Sequence, residues 1–239
     1  MSRPDPRDLH PLIWLWSIPL PLVIHLSARQ IDSDNRFFPT WIESESGLIE
    51  NATALLLLPA TVLAIVLAVR CYGQFGRMFS VWFAGFALMC FGFAGEEVSW
   101  GQHWLGWRSP EYFAEYNRQG ETNFHNLNIH FGRVVKTLLT LVIIIGGLIL
   151  PLTRRAQARE AVSPRRWSAA IVPTLVCVPA AAFVFGVRLV ERCKTWFDLE
   201  WSLLDVNLKE LQELYIAIFL LIYVWSVYKR YGSASTATT

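Results

Sequence analysis

Six long apolar stretches of this chain contain no Asp, Glu, Lys or Arg: 9–28, 51–69, 78–95, 137–153, 167–187 and 214–228. Most match the roughly 20 residues a helix needs to cross a hydrocarbon core, and the last extends through its polar first turn. Lipid offers no partner to an orphaned backbone N–H or C=O, so apolar runs this long predict helices. The pattern predicts an all-α fold: a polytopic membrane bundle of about six transmembrane helices. Residues 1–231 form a single domain, and 232–239 a disordered polar tail. The first run follows Arg3 and Arg7 as a signal peptide would. It is long, however, carries Pro19 and Pro21, and ends in a poor cleavage pattern at His25-Leu26-Ser27-Ala28, so it reads as an uncleaved first helix.

Charge sharpens this picture because it is segregated. With alternating helices, the segments 1–10, 70–77, 154–167 and 229–239 hold 11 of the 21 Lys and Arg residues but only 3 of the 19 acids. The opposite segments, 29–50, 96–136 and 188–213, hold the other 10 basic residues and 16 acids over about twice the length. By the positive-inside rule both termini and the arginine-rich loop Arg154–Arg166 are cytoplasmic. The polar loops of interest then lie on the outer, periplasmic side of an inner membrane. Tryptophans fall at both boundaries, Trp14, Trp16, Trp82, Trp167 and Trp225 at one and Trp41, Trp100, Trp104, Trp107, Trp196 and Trp201 at the other, as amphipathic indoles do. The four cysteines form no evident pair and no C-x-x-C. Asn51-Ala52-Thr53 fits a glycosylation pattern only by chance, since it opens a membrane helix.

The long outer loop between the third and fourth stretches carries the chemistry. Ser109-Pro110-Glu111 reads as an N-cap followed by proline at the first helical position. A short interfacial helix over 110–118 is expected, with Tyr112, Phe113 and Tyr116 on one side. Before it stands Gly95-Glu96-Glu97-Val98-Ser99-Trp100-Gly101-Gln102-His103, and after it Gln119-Gly120-Glu121-Thr122-Asn123-Phe124-His125-Asn126. On a continuing helix Glu96, Ser99, Trp100 and His103 share one face while Glu97 points about 100° away. Two adjacent carboxylates at the end of an apolar helix are expensive unless paired, solvated or metal-bound. Glu121 and His125, four apart, project together if that stretch is helical.

Further acids open other helices on the same side: Glu50 before the second stretch, and Glu210 and Glu213 before the sixth. Facing helices build bundle metal sites in this way. Glu97, Glu121, His125 and Glu213 are therefore the expected ligands of a divalent metal, Zn, Fe or Mn, which accept mixed N/O donors. Glu96 is the expected general base, with Gln102 and His103 completing the catalytic set. Bland alternatives stand beside these: Glu50 complements a helix dipole, and Asn207 with Glu210 resembles a capping box.

The two motifs, with Ser109-Pro110 and Asn117-Arg118 between them, resemble a set found in uncharacterised multipass bacterial inner-membrane proteins, over about a seventh of the chain. That resemblance implies a family without a reaction. Three functions remain open. One is a membrane-embedded hydrolase or transferase, metal- or carboxylate-assisted, acting at the outer face on a lipid or lipid-linked substrate. The second is an accessory or assembly subunit whose polar cluster is structural, and the third a proton- or cation-coupled transporter. Transporters more often show repeated halves and helices broken near the midplane, and no repeat is visible. Nothing suggests nucleic acid as a partner; the expected partner is membrane lipid, and no protein partner is indicated.

Overall fold

The computed structural model describes residues 8–14, 18–19, 21–23, 26–27, 47–124, 126–127, 129–157, 167–198 and 207–232, the side chains of 129–131 and 154–157 excepted. Every regular element among them is helical. Helix α1 is Leu48–Arg70, α2 is Arg77–Glu97, and α3 is the short Glu111–Tyr116. Helix α4 begins as Ile129–Ile143, widens into a π turn over Ile144–Ile149 and closes as Leu150–Gln157. Helix α5 is Val178–Phe197 and α6 is Leu208–Val227. Among the described residues five helices are long and apolar enough to cross a membrane: Leu48–Arg70, Arg77–Glu97, Gly132–Thr153, Trp167–Phe197 and Leu208–Gly232. The expected sixth, over 9–28, is described only in part. Its residues 13–14, 19, 21–23 and 26–27 are helical.

The last helix is the centre of the bundle. In α6 and its extension 78% of the apolar window is buried, against 22–39% for the other four spans. It packs against α1 and α5, while α1 and α2 form a close antiparallel pair. Small residues let these backbones approach, Ala54, Ala60 and Ala64 from α1, Ala180 and Ala181 from α5 and Ala217 from α6. The tightest approach is at Gly147 in the π turn, where an added Cβ would lie 2.3 Å from the Phe219 ring and 3.0 Å from Ala181. Large residues fill the remaining space, among them Leu57, Phe79, Phe83 and Tyr215.

Around Pro173 the span that ends as α5 is interrupted. A turn Trp167–Ala170 precedes four non-helical residues and a 3-10 turn, Leu175–Cys177. Carbonyls released by such a break need partners inside lipid. Tyr223 of α6 donates to the Ile171 carbonyl at 2.7 Å, and Trp14 Nε1 donates to the Val176 carbonyl at 2.7 Å. The Tyr215 hydroxyl donates to the Ile18 carbonyl at 2.7 Å, so the N-terminal segment is docked on the core.

Alternating directions collect 47–51, 97–124 and 207–213 at one end of the bundle. At the other, 70–77 meets 228–232 through the Phe75–Tyr231 ring contact at 5.1 Å. The interrupted turn of the fifth span belongs to that second end. The polar residues of interest belong to the first.

Candidate functional site

Helix α2 stops at Glu97, and a sharp reversal follows in place of the continuous helical face expected over 96–103. Ser99 (φ 46°) and Trp100 (φ 55°) both lie in the left-handed region, and Gly101 (φ 86°) completes the turn. Such a conformation costs a non-glycine residue of order 1–3 kcal/mol and persists only where surroundings enforce it. Here the enforcement is visible. The Trp100 indole folds back onto the helix, so close that a Cβ at position 95 would meet the ring at 2.8 Å; only glycine fits there. Its Nε1 donates to Glu96 Oε1 at 2.9 Å, and its ring meets the edge of Phe91 at 6.0 Å. The other Glu96 oxygen, Oε2, accepts the Phe124 backbone N–H at 2.7 Å. Glu96, expected as a base, thus has one oxygen engaged in holding the Trp100 reversal and the other in fastening Phe124 to the end of α2.

The reversal turns Ser99 inward. Its hydroxyl, 1% exposed, donates to Glu121 Oε2 at 2.7 Å and accepts from Asn123 Nδ2 at 3.0 Å. Asn123 Nδ2 also donates to Glu121 Oε2 at 2.9 Å. The second Glu121 oxygen, Oε1, lies 3.0 Å from His103 Nε2, whose side chain is 20% exposed. The pair is at ion-pair distance, but its direction falls outside hydrogen-bond alignment; a small ring rotation would supply it. Catalytic hydrogen bonds commonly align only once substrate is bound. Glu121 is therefore held from one side by Ser99 and Asn123 and presents its free side to an imidazole.

The loop that carries Glu121 is built for this purpose by polar side chains rather than by helix. Residues 121–124 have no helical turn, and Gly120 (φ 68°) reverses the chain just before them. The helical Glu121–His125 pair is thus not formed over that stretch, and His125 itself lies outside the described residues. Buried Asn117 donates to the Asn123 carbonyl and to its Oδ1, both at 2.9 Å, and accepts the Gln119 N–H at 2.9 Å. Gln102 Oε1 accepts the Thr122 N–H at 2.9 Å and the Ser109 hydroxyl at 3.1 Å. Ser109 also donates to the Gly120 carbonyl at 2.5 Å. Ser109 was the expected cap of the short helix; its hydroxyl is taken by these contacts instead, and Pro110 stands at the cap of α3, which spans Glu111–Tyr116 rather than 110–118. Gln102, expected in the catalytic set, holds the loop shape.

A second polar group lies at the same end. Glu97, 8% exposed, has Glu213, Glu50, Lys136 and Glu210 as its charged neighbours. Glu97 thus feels carboxylates from α1 and α6 and the ammonium of Lys136 from α4, and Lys136 pairs directly with Glu213. Asn207 caps α6 without a side-chain cap bond; its amide instead donates to Glu210. The expected convergence of acids from facing helices is present for Glu50, Glu97, Glu210 and Glu213. Glu121 keeps different company, in Ser99, Asn123 and His103. Among the described residues no three His, Cys, Asp or Glu side chains gather as a metal-holding group.

The two groups are tied to one another through the chain. Trp104 Nε1 donates to Asn51 Oδ1 at 2.7 Å, binding the turn Gln102–Leu105 to the start of α1, next to Glu50. Sequence reasoning placed Ser99 only on a helix face and passed over Asn117 and Asn123. The one signal for them was the density of asparagine, glutamine and glycine over 117–126. No protein-family profile, curated protein or solved structure matches the chain.

Proposed function

We propose that this chain is a membrane-embedded enzyme in which His103, oriented by Glu121, acts as general base and acid on an ester bond at the headgroup level of a lipid or lipid-linked substrate. The observation that carries the reading is the Glu121 carboxylate, buried and gripped by Ser99 and Asn123 on one oxygen and set 3.0 Å from His103 Nε2 on the other. A carboxylate only accepts hydrogen bonds, so once the ring aligns with Glu121 a neutral imidazole would carry its proton on Nε2 and leave Nδ1 basic. In the reaction Nδ1 takes a proton from water or an acceptor hydroxyl while that oxygen attacks the ester carbon or phosphorus. The imidazolium, balanced by Glu121, then returns the proton to the leaving oxygen. The strained reversal at Ser99 and Trp100, maintained by the Gly95 seat and the Glu96 clamp, is the kind of stored strain that clusters at functional sites.

The acidic group around Glu97 supports a second reading. Glu97 is buried beside Glu213, Glu50 and Glu210, and carboxylates held together at the end of a membrane span are a place where protons or a cation can be exchanged. Glu97 and Glu213, two of the four expected metal ligands, stand in it, and their oxygens would suit Zn, Fe or Mn only with further donors, since no three such side chains gather as a metal-holding group among the described residues. Proton- or cation-coupled transport rests on the same group.

The test is reconstitution of the purified protein in vesicles made from the source membrane's total lipid, followed by mass spectrometry of the lipid extract in ¹⁸O-labelled water. A lipid species consumed by the wild type but not by His103→Gln supports the enzyme. An unchanged lipid profile, with cation or proton flux instead, would replace it by the second reading.

A further inference from the structure

The loop that carries His103 exposes an unusual amount of large apolar surface, continuous with a membrane-facing helix. On α2 the lipid side shows Leu88 and Phe91. Trp100 packs on Phe91 and is itself 40% exposed, leading the apolar strip from the helix to the reversal. Immediately beyond His103, Trp104 and Leu105 stand out, Leu105 with 80% of its surface open. Helix α3 carries Tyr112 and Tyr116 together, ring centroids 5.1 Å apart and tilted, with Phe113 beside them meeting Phe124 at 5.4 Å. Glu111 and Glu115 lie about 100° round the helix, and Ala114 stands opposite the tyrosines. Arg108 and Arg118 are exposed at the two ends of α3. Isolated exposed apolar residues are ordinary, but a contiguous strip rimmed by charge marks an interaction surface.

We infer that this strip, Trp100, Trp104, Leu105, Tyr112, Tyr116 and Phe124, is seated in the interfacial layer of the bilayer, so that the loop lies on the membrane and His103 meets an amphiphilic substrate from the lipid side. The occupant is the bilayer itself because Trp100 carries the surface of a membrane-spanning helix on from Phe91 into the loop. Tyrosine and tryptophan are the residues that favour the headgroup boundary, and the flanking arginines suit lipid phosphates. The inference extends the proposed function by naming the direction of substrate approach. It rests on that reading for His103 only; the seating of the loop stands on its own surface.

The experiment uses full-length protein with Cys193→Ser, the remaining cysteines Cys71, Cys90 and Cys177 being buried. Single cysteines at Leu105, Tyr112 and Ala114 carry an environment-sensitive fluorophore in lipid nanodiscs. Lipid-borne nitroxide quenchers should act several-fold more strongly than aqueous iodide at Leu105→Cys and Tyr112→Cys, with the opposite order at Ala114→Cys on the reverse side of the same helix. Preferential iodide quenching at all three positions overturns the inference. So does protection of Leu105 and Tyr112 from both quenchers that vanishes on dilution, which would make the strip a contact between copies of the chain. Because the labels report position alone, failure here leaves the His103–Glu121 dyad intact, whereas an inert His103 with a seated loop removes the dyad and keeps the surface.

Discussion

Glutamine and alanine at position 121 separate a working carboxylate from a structural one. In Glu121→Ala the Ser99 hydroxyl, the Asn123 amide and His103 all lose their acceptor, the first two within groups 1% and 2% exposed. Hydrogen bonds to a charged group contribute about 1.5–3 kcal/mol each, and a buried donor left unpaired costs about 1–3 kcal/mol. Breaking such a centre should destabilise the protein by about 3–5 kcal/mol. Glu121→Gln keeps the shape and one oxygen for Ser99 and Asn123. The lost charge assistance, about 1 kcal/mol per bond, is offset in part because a neutral amide is cheaper to bury than an anion. The net loss should stay within about 1–2 kcal/mol. Activity behaves oppositely. The amide turns a donor toward His103 Nε2, and the imidazole loses its orienting partner, which should lower turnover about 10²–10⁴-fold. Denaturant unfolding in detergent beside lipid turnover in vesicles reads both quantities. Equal destabilisation by the two variants, with turnover in Glu121→Gln within a few-fold of wild type, would refute the argument and leave Glu121 a structural tie.

Other outcomes follow from single contacts. Gly95→Ala puts a methyl at 2.8 Å from the Trp100 ring and should cost about 1–3 kcal/mol, with a red-shifted, more quencher-accessible Trp100, read in unfolding and fluorescence. Gly147→Ala drives a Cβ to 2.3 Å from Phe219 and should cost about the same in unfolding while leaving the His103 end unaltered. Lys136→Met removes the ion-pair partner of Glu213 beside buried Glu97 and should cost about 3–5 kcal/mol; adding Glu213→Gln should recover part of it, and a strictly additive double mutant would show that the pair is uncoupled. Metal content of gently purified protein, compared with Glu97→Gln and Glu213→Gln, tests the cation reading. A stoichiometric divalent metal lost in both variants supports it, and equal content in all three removes those residues as ligands.

The five described membrane spans were legible because length and hydropathy alone decide them: each holds one of the charge-free runs, the break at 171–174 excepted. The gathering of Glu50, Glu97, Glu210 and Glu213 was legible for the same reason, since each opens or closes a span and alternating helices bring those ends together. What periodicity could not show is the backbone between spans. A helical wheel assumes that α2 continues past Glu97, yet the Trp100 indole, seated on Gly95 and bonded to Glu96, outweighs local propensity and reverses the chain. That reversal, not a helix face, brings Ser99 to Glu121. Likewise Glu121 and His125 suggested a helical pair, whereas Asn117, Asn123 and Gly120 shape an irregular loop whose bonds are long-range side-chain contacts. The partner of Glu121 proved to be His103, 18 positions away and invisible to any local spacing rule.

The most direct measurement is the protonation of the His103 ring, observed by long-range ¹H–¹⁵N correlation in ¹⁵N-histidine-labelled protein and assigned with His103→Gln. The account expects the neutral ring to carry its proton on Nε2, facing Glu121, with Nδ1 bare, and expects that preference to be lost in Glu121→Gln. A bare Nε2 in the wild type, or a ring indifferent to the loss of the Glu121 charge, would contradict the dyad on which the proposed function stands.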